Sequence, residues 1–228
     1  MLEDLRARRP PRLEVFPEPG VQPASIGLLA GSFDPITVAH AAMANAAAEQ
    51  VELVVLVYSV RTLPKEPGAL PPLLPEEDRV AALERFCQGR RGLAVGVCSH
   101  GLLADQADAA ADRFPGSRIF LVIGSDKLLQ LLDPSWYEDP QTTLDRLFVR
   151  AEVLFAMRAG DEEAVAETLR RPENLARRER IARLDVPSAV TAISSRRVRD
   201  LLRRGEDVEG LVPEEVRPLL GQFRPRGP

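Results

Sequence analysis

Short apolar runs separated by alanine-rich or amphipathic stretches dominate the hydrophobic pattern. Ile26–Ala30, Leu53–Tyr58 (LVVLVY), Leu93–Cys98 (LAVGVC), Arg118–Ile123 (RIFLVI) and Val153–Met157 (VLFAM) are each five or six residues long. Such runs suit strands buried on both faces. Between them lie predicted helices: Ala41–Gln50, too small-sided to pack anywhere but close against a sheet; Glu76–Gly89, with Val80, Leu83 and Phe86 at helical spacing; Leu102–Phe114, stopped by Pro115-Gly116; and Asp161–Arg171. Five strands alternating with helices predict an α/β class, Rossmann-like doubly wound parallel five-stranded sheet (α/β/α), with its site at the strands' carboxyl ends. A C-terminal helical extension follows. The expected boundaries are a flexible or loosely docked Pro/Arg-rich arm over 1–24, the main domain over 25–205 and an extension over 206–228.

Chemistry concentrates where the first strand ends. Gly31 closes the run Ile26–Ala30, and Asp34-Pro35 make a plausible helix start with Asp as N-cap and Pro at the first helical position. Thr37 and His40 fall three apart, on one face of the first turn. Free N–H groups and the positive end of the helix dipole favour phosphate there, beside a hydroxyl and an imidazole. An ordinary capped helix with a surface histidine meets the same spacing.

A second such place is Ile193–Arg199, expected to follow a short strand and open a helix. Ser194 would cap it, Val198, Leu201 and Leu202 would be buried, and Arg196, Arg199 and Arg203 would fall on another face. Two serine hydroxyls and an arginine fork at a helix start suit a polyphosphate. Gly124-Ser125-Asp126 repeats the strand, glycine turn and acidic helix start. Its carboxylate could meet a ribose diol or cap the helix. Ser59–Pro75 lies after the second strand's carboxyl end and offers Arg61 and Lys65 to an acidic substrate or a triphosphate; a solvated loop would look the same.

Gly31–His40 (GSFDPITVAH) resembles the G-x-F-D-P-x-[HT]-x-G-H signature of the nucleotidylyltransferase superfamily, with Ala39 where the family has glycine. Ile193–Arg199 (ISSRRVR) resembles the superfamily's I-S-S-T-x-I-R, which binds the β- and γ-phosphates of ATP, with Arg196 in place of threonine. The segment IFLVIGSDKLLQLLDPSWYED is similar to the G-x-D stretch of nicotinate and nicotinamide mononucleotide adenylyltransferases. This resemblance implies adenylyl transfer from ATP to a pyridine mononucleotide, releasing pyrophosphate, in NAD biosynthesis. It implies catalytic roles for His40, Thr37 and Arg199. ATP contacts would come from Gly31, Ser32, Phe33, Ala39, Gly124, Asp126, Ser194, Ser195 and Arg196. Acceptor contacts would come from Arg61, Lys65 and Trp136, with Mg²⁺ required by ATP chemistry and no protein metal cluster visible. The Ile-Thr after Asp-Pro also occurs in phosphopantetheine adenylyltransferases, and the two departures fit a non-catalytic nucleotide-binding homologue as well.

Bulk properties narrow the partners. A net charge of −4 argues against a generic nucleic-acid or membrane-surface binder. No apolar run approaches the ~20 residues that cross a bilayer. Two cysteines and no secretory segment lead to an expected cytoplasmic setting with free thiols. The expected partners are small molecules, ATP and a mononucleotide, with a homo-oligomer left open.

Overall fold

The computed structural model describes residues 1–61 and 71–223. Seven strands form one sheet among these residues: β1 (Leu13–Phe16), β2 (Ser25–Ala30), β3 (Leu53–Ser59), β4 (Leu93–Cys98), β5 (Arg118–Gly124), β6 (Ala151–Ala156) and β7 (Ile181–Leu184). Their spatial order is β1-β4-β3-β2-β5-β6-β7, with β1 antiparallel to β4 and all other pairings parallel. The α/β class and doubly wound topology agree with the sequence reading. Two short edge strands raise the expected five to seven.

Both additions are edge strands, which is why hydrophobic runs do not announce them. In β1 only Leu13 and Val15 turn inward, and flanking prolines are tolerated at an edge. In β7 only Leu184 is fully buried. Residues 1–24, expected as a loosely docked arm, therefore carry a strand. They also carry helix α1 (Leu2–Ala7), whose Leu5 is buried in the same core as Tyr58 and Val80.

Helices cover both faces. On one lie α2 (Val38–Ala48) and α3 (Glu76–Cys87); on the other lie α4 (Leu103–Arg113), α5 (Ser125–Leu132) and α6 (Pro140–Arg150), the last missed by the sequence reading. The chain continues through α7 (Glu162–Arg170), α8 (Leu175–Arg178), α9 (Ser188–Thr191) and α10 (Ser195–Arg203). A helix, α9, thus precedes Ile193 where a short strand was expected. Helix α2 buries Ala39, Met43, Ala44 and Ala47, so its backbone rides close to β2 and β3 as its small side chains require. A third cluster joins Leu74, Val198, Leu202, Val208, Val212 and Leu220, docking α10 and the C-terminal segment onto the rest of the chain.

Ignoring β1, the parallel strands run in the order third, second, first, fourth, fifth, sixth. That order reverses between β2 and β5, whose registers pair Leu28 with Leu121. The chain leaves these neighbouring strands in opposite directions and opens a crevice outside their carboxyl ends. Gly31 follows one strand and Gly124 ends the other.

Candidate active site

At the end of β2 the chain makes a strained turn. Phe33 is fully buried with φ of 43°, a conformation uncommon for a bulky residue. Its ring explains Gly31: a Cβ there would stand 3.0 Å from the Phe33 ring carbons. The same ring meets His40 edge-on, with centroids 5.2 Å apart.

Helix α2 begins three residues later than the sequence suggests, with Thr37 rather than Asp34 as N-cap. Thr37 and His40 form a reciprocal capping box. The Thr37 N–H donates to His40 Nδ1 at 3.1 Å, and the Thr37 hydroxyl lies 2.8 Å from the same nitrogen. A backbone N–H can only donate, so Nδ1 is an acceptor and the neutral ring carries its proton on Nε2. No hydrogen bond holds Nε2 among the described residues. Burial lowers the pKa of His40 to about 4, against a weaker opposing pull from the Asp126 carboxylate. The site therefore presents a neutral imidazole with one fixed donor, and Thr37 serves to orient it.

Asp34 does different work from the cap expected of it. Only 1% exposed, its carboxylate accepts the N–H groups of Leu73 and Leu74, at 3.1 and 2.9 Å. It also stands 3.9 Å from Arg79 Nε and 3.5 Å from Arg199 Nη1. Three stretches distant in sequence, around Asp34, Leu73–Arg79 and Arg199, thus meet at one buried anion. Arg79, 4% exposed, donates from Nε and Nη2 to the Leu74 carbonyl at 2.9 and 2.7 Å.

The start of α10 is fastened to this turn. Ser195 donates its hydroxyl proton to the Pro35 carbonyl at 2.8 Å, and Arg199 Nη1 donates to the Asp34 carbonyl at 2.9 Å. Ser194 caps the helix, accepting from the Arg197 N–H at 3.3 Å. Desolvation pulls the Arg199 pKa down while Asp34 opposes it. The two expected phosphate-binding segments therefore do converge. Part of their hydrogen-bonding capacity joins them to each other, and Arg196 stays exposed.

Across the crevice, Asp126 sits in the first turn of α5 with Gly124, not Asp126, as N-cap. Its carboxylate pairs with Arg158 at 3.2 Å. A Cβ at Gly124 would meet Asp126 Oδ1 at 2.5 Å, so a larger residue there would push that half-exposed carboxylate aside. Buried Ser125 donates to Asp161 at 2.6 Å and accepts the Arg158 N–H at 2.9 Å, tying the β6–α7 turn to α5.

A cavity of about 260 Å³ opens from this crevice and is lined by Gly31, Ser32, Ser59, Leu103, Lys127, Trp136 and Tyr137, among others. Trp136, 59% exposed, forms part of its wall, where an indole face can stack on a planar ring. Gln106 lies deeper, 2% exposed, and donates to Ser59 Oγ at 2.8 Å. Arg61, expected to steer the acceptor, does not line this cavity. Its guanidinium donates to the carbonyls of Arg6 and Arg8 and contacts His100 Nε2 at 3.1 Å, so the end of α1 and the loop after β4 engage it. Lys65 lies outside the described residues. Neither the cavity nor the Gln106–Ser59 bond was singled out from the sequence, because the lining residues come from separate elements with no shared spacing.

The described residues contain no group of three or more His, Cys, Asp or Glu side chains arranged to hold a metal ion. No helix among them is long and apolar enough to cross a membrane.

The chain is similar to several known proteins. The probable nicotinate-nucleotide adenylyltransferase of Anaeromyxobacter sp. (strain K) is 31% identical over 204 residues, spanning 84% of this chain and 90% of that protein. The enzyme of the same description from Rubrobacter xylanophilus is 28% identical over 203 residues, spanning 86% and 88%. A solved structure of Plasmodium falciparum nicotinic acid mononucleotide adenylyltransferase complexed with APC shares the fold, with a TM-score of 0.59 at 13% identity over 88% of this chain and 96% of that one. The family model described as cytidylyltransferase-like matches residues 28–200, from within β2 to within α10, and so encloses both signature segments. The chain belongs to the cytidylyltransferase-like family, within the nucleotidylyltransferase superfamily that its two signatures resemble.

Proposed function

We propose that this protein transfers the adenylyl group of ATP to the phosphate of nicotinate or nicotinamide mononucleotide, forming the dinucleotide and pyrophosphate. The observation that carries the reading is the junction of the two signature segments at the switch point, beside a cavity running from Gly31 and Ser32 to Trp136. ATP takes the crevice and the pyridine base takes the cavity. The relatives named nicotinate-nucleotide adenylyltransferase support the choice of acceptor.

An acceptor phosphate oxygen attacks the α-phosphorus as the bond to the bridging oxygen breaks, and pyrophosphate leaves with that oxygen. The acceptor is its own nucleophile, so alignment and charge stabilisation supply the catalysis. His40 donates Nε2–H to a phosphate oxygen, and Thr37 positions it. Remaining guanidinium donors of Arg199, the N–H groups opening α10, and Ser194, Ser195 and Arg196 hold the departing pyrophosphate. Gly31, Ser32, Phe33 and Ala39 shape the backbone against the nucleotide, and Gly124 and Asp126 face its ribose. Mg²⁺ bound together with ATP would supply neutralisation of the phosphate charge.

We place the protein in the cytoplasm. Cys87 and Cys98 are free and buried, and burial pushes their thiols up to about 12 and 11, away from reactivity. Its partners are then small molecules, not nucleic acid or membrane.

Pyrophosphate release from ATP and Mg²⁺, with each mononucleotide and with phosphopantetheine as acceptor, tests this reading. Release with a pyridine mononucleotide is expected. ATP binding without release for any acceptor would leave the non-catalytic alternative.

A further inference from the structure

Lys127 is the one charged side chain in the cavity wall among the described residues, and no carboxylate lines the cavity with it. It stands in the first turn of α5, where the helix dipole already presents its positive end. A cation there works against the helix. Its neighbour Asp126 is paired with Arg158. The ammonium is hydrogen-bonded to the neutral amide of Gln130, which leaves two of its three N–H donors. The cavity therefore carries a positive field that no wall carboxylate cancels.

We propose that Lys127 makes this cavity select the acidic pyridine base over its amide. The inference rests on the adenylyl-transfer reading above and deepens it. In both mononucleotides the ring nitrogen bears the sugar, so the ring is a pyridinium cation. With a carboxylate the base is a net-neutral zwitterion; with a carboxamide it is a net cation. Trp136 can stack on either ring and does not separate them. Gln106 and Gln130 offer uncharged groups that suit either substituent. Lys127 attracts the carboxylate of the first and repels the net charge of the second, so both effects act in one direction.

Trp136 is the chain's only tryptophan and lines the same cavity, so its fluorescence reports binding without turnover. Titrating nicotinate and nicotinamide mononucleotides into the wild-type chain should give tighter quenching by the acid. Lys127→Met should weaken acid binding roughly 10- to 100-fold, the range for a lost hydrogen bond to a charged group, and leave amide binding unchanged or tighter. Lys127→Arg should keep the preference. An acid-to-amide Kd ratio that is the same in Lys127→Met as in wild type would overturn the inference, as would a wild type that prefers the amide or is quenched by neither. Pyrophosphate release is measured in parallel. Its absence beside an intact Kd ratio would sink the adenylyl-transfer reading alone, and its presence beside an unaltered ratio would sink only the role of Lys127.

Discussion

His40 shows how one backbone hydrogen bond decides the chemistry of a side chain. The Thr37 N–H fixes Nδ1 as an acceptor, and burial holds the ring neutral down to about pH 4. Because the folded pKa lies below the ordinary 6.5, the unfolded chain takes up a proton that the folded chain refuses. Stability is then unaffected above pH 6.5 and falls as pH drops from 6.5 towards 4, by at most about 3 kcal/mol from this group. We expect the His40 ring to titrate near pH 4 by NMR, with its signal assigned by loss in His40→Ala. A midpoint near 6.5 would contradict the burial argument. His40→Ala should lower kcat by about 10²–10³-fold with little change in ATP affinity, the range for removing one oxyanion donor. Ala39 is 7% exposed in the same turn, where the family signature has glycine. Ala39→Gly should tighten ATP binding by calorimetry, at a helix cost of up to about 1 kcal/mol; unaltered affinity would clear the methyl of crowding the nucleotide. Asp34→Ala should cost about 3–5 kcal/mol in denaturant unfolding, because it strands the buried Arg79 guanidinium. The motif made Asp34 conspicuous, but its partners Leu73, Leu74 and Arg79 have no spacing relation to it, so a cap was the only role the sequence could suggest.

Among the elements, those buried on both faces were legible and those at edges were not. Strands β2 to β6 appear as continuous apolar runs because neither face meets water. Strand β1 shows only a two-residue alternation, and β7 lies in an arginine-rich stretch with one fully buried residue. Helix α6 buries Leu144, Leu147 and Phe148, but a polar first half hides its period. The N-terminal segment matters beyond its length. Strand β1 covers the open edge of β4, and the carbonyls of Arg6 and Arg8 hold Arg61. A chain lacking residues 1–17 should lose the Leu5, Leu13 and Val15 burial and expose the β4 edge. We expect a lower denaturation midpoint and concentration-dependent light scattering. A truncated chain as stable and monodisperse as the full one would show that this segment is dispensable.

For the molecule as a whole, the alternation of strands and helices carried the topology, and the topology located the crevice. What the sequence left open was how the crevice is furnished. The cavity draws on the ends of β2, β3 and β5 and on α4, α5 and α6, so no local pattern encodes it. Trp136 was legible as a lone indole; Lys127 was not, because one lysine in a helix is unremarkable until its neighbours are known. The bonds from Ser195 to Pro35 and from Arg199 to Asp34 span 160 and 165 positions. Protein synthesis runs from the N-terminus, so the turn that holds His40 leaves the ribosome long before its fasteners exist. A nascent chain halted before α10 would carry β2 to β7 with an unfinished anion site, and nucleotide could not reward folding until Ser195–Arg203 had emerged.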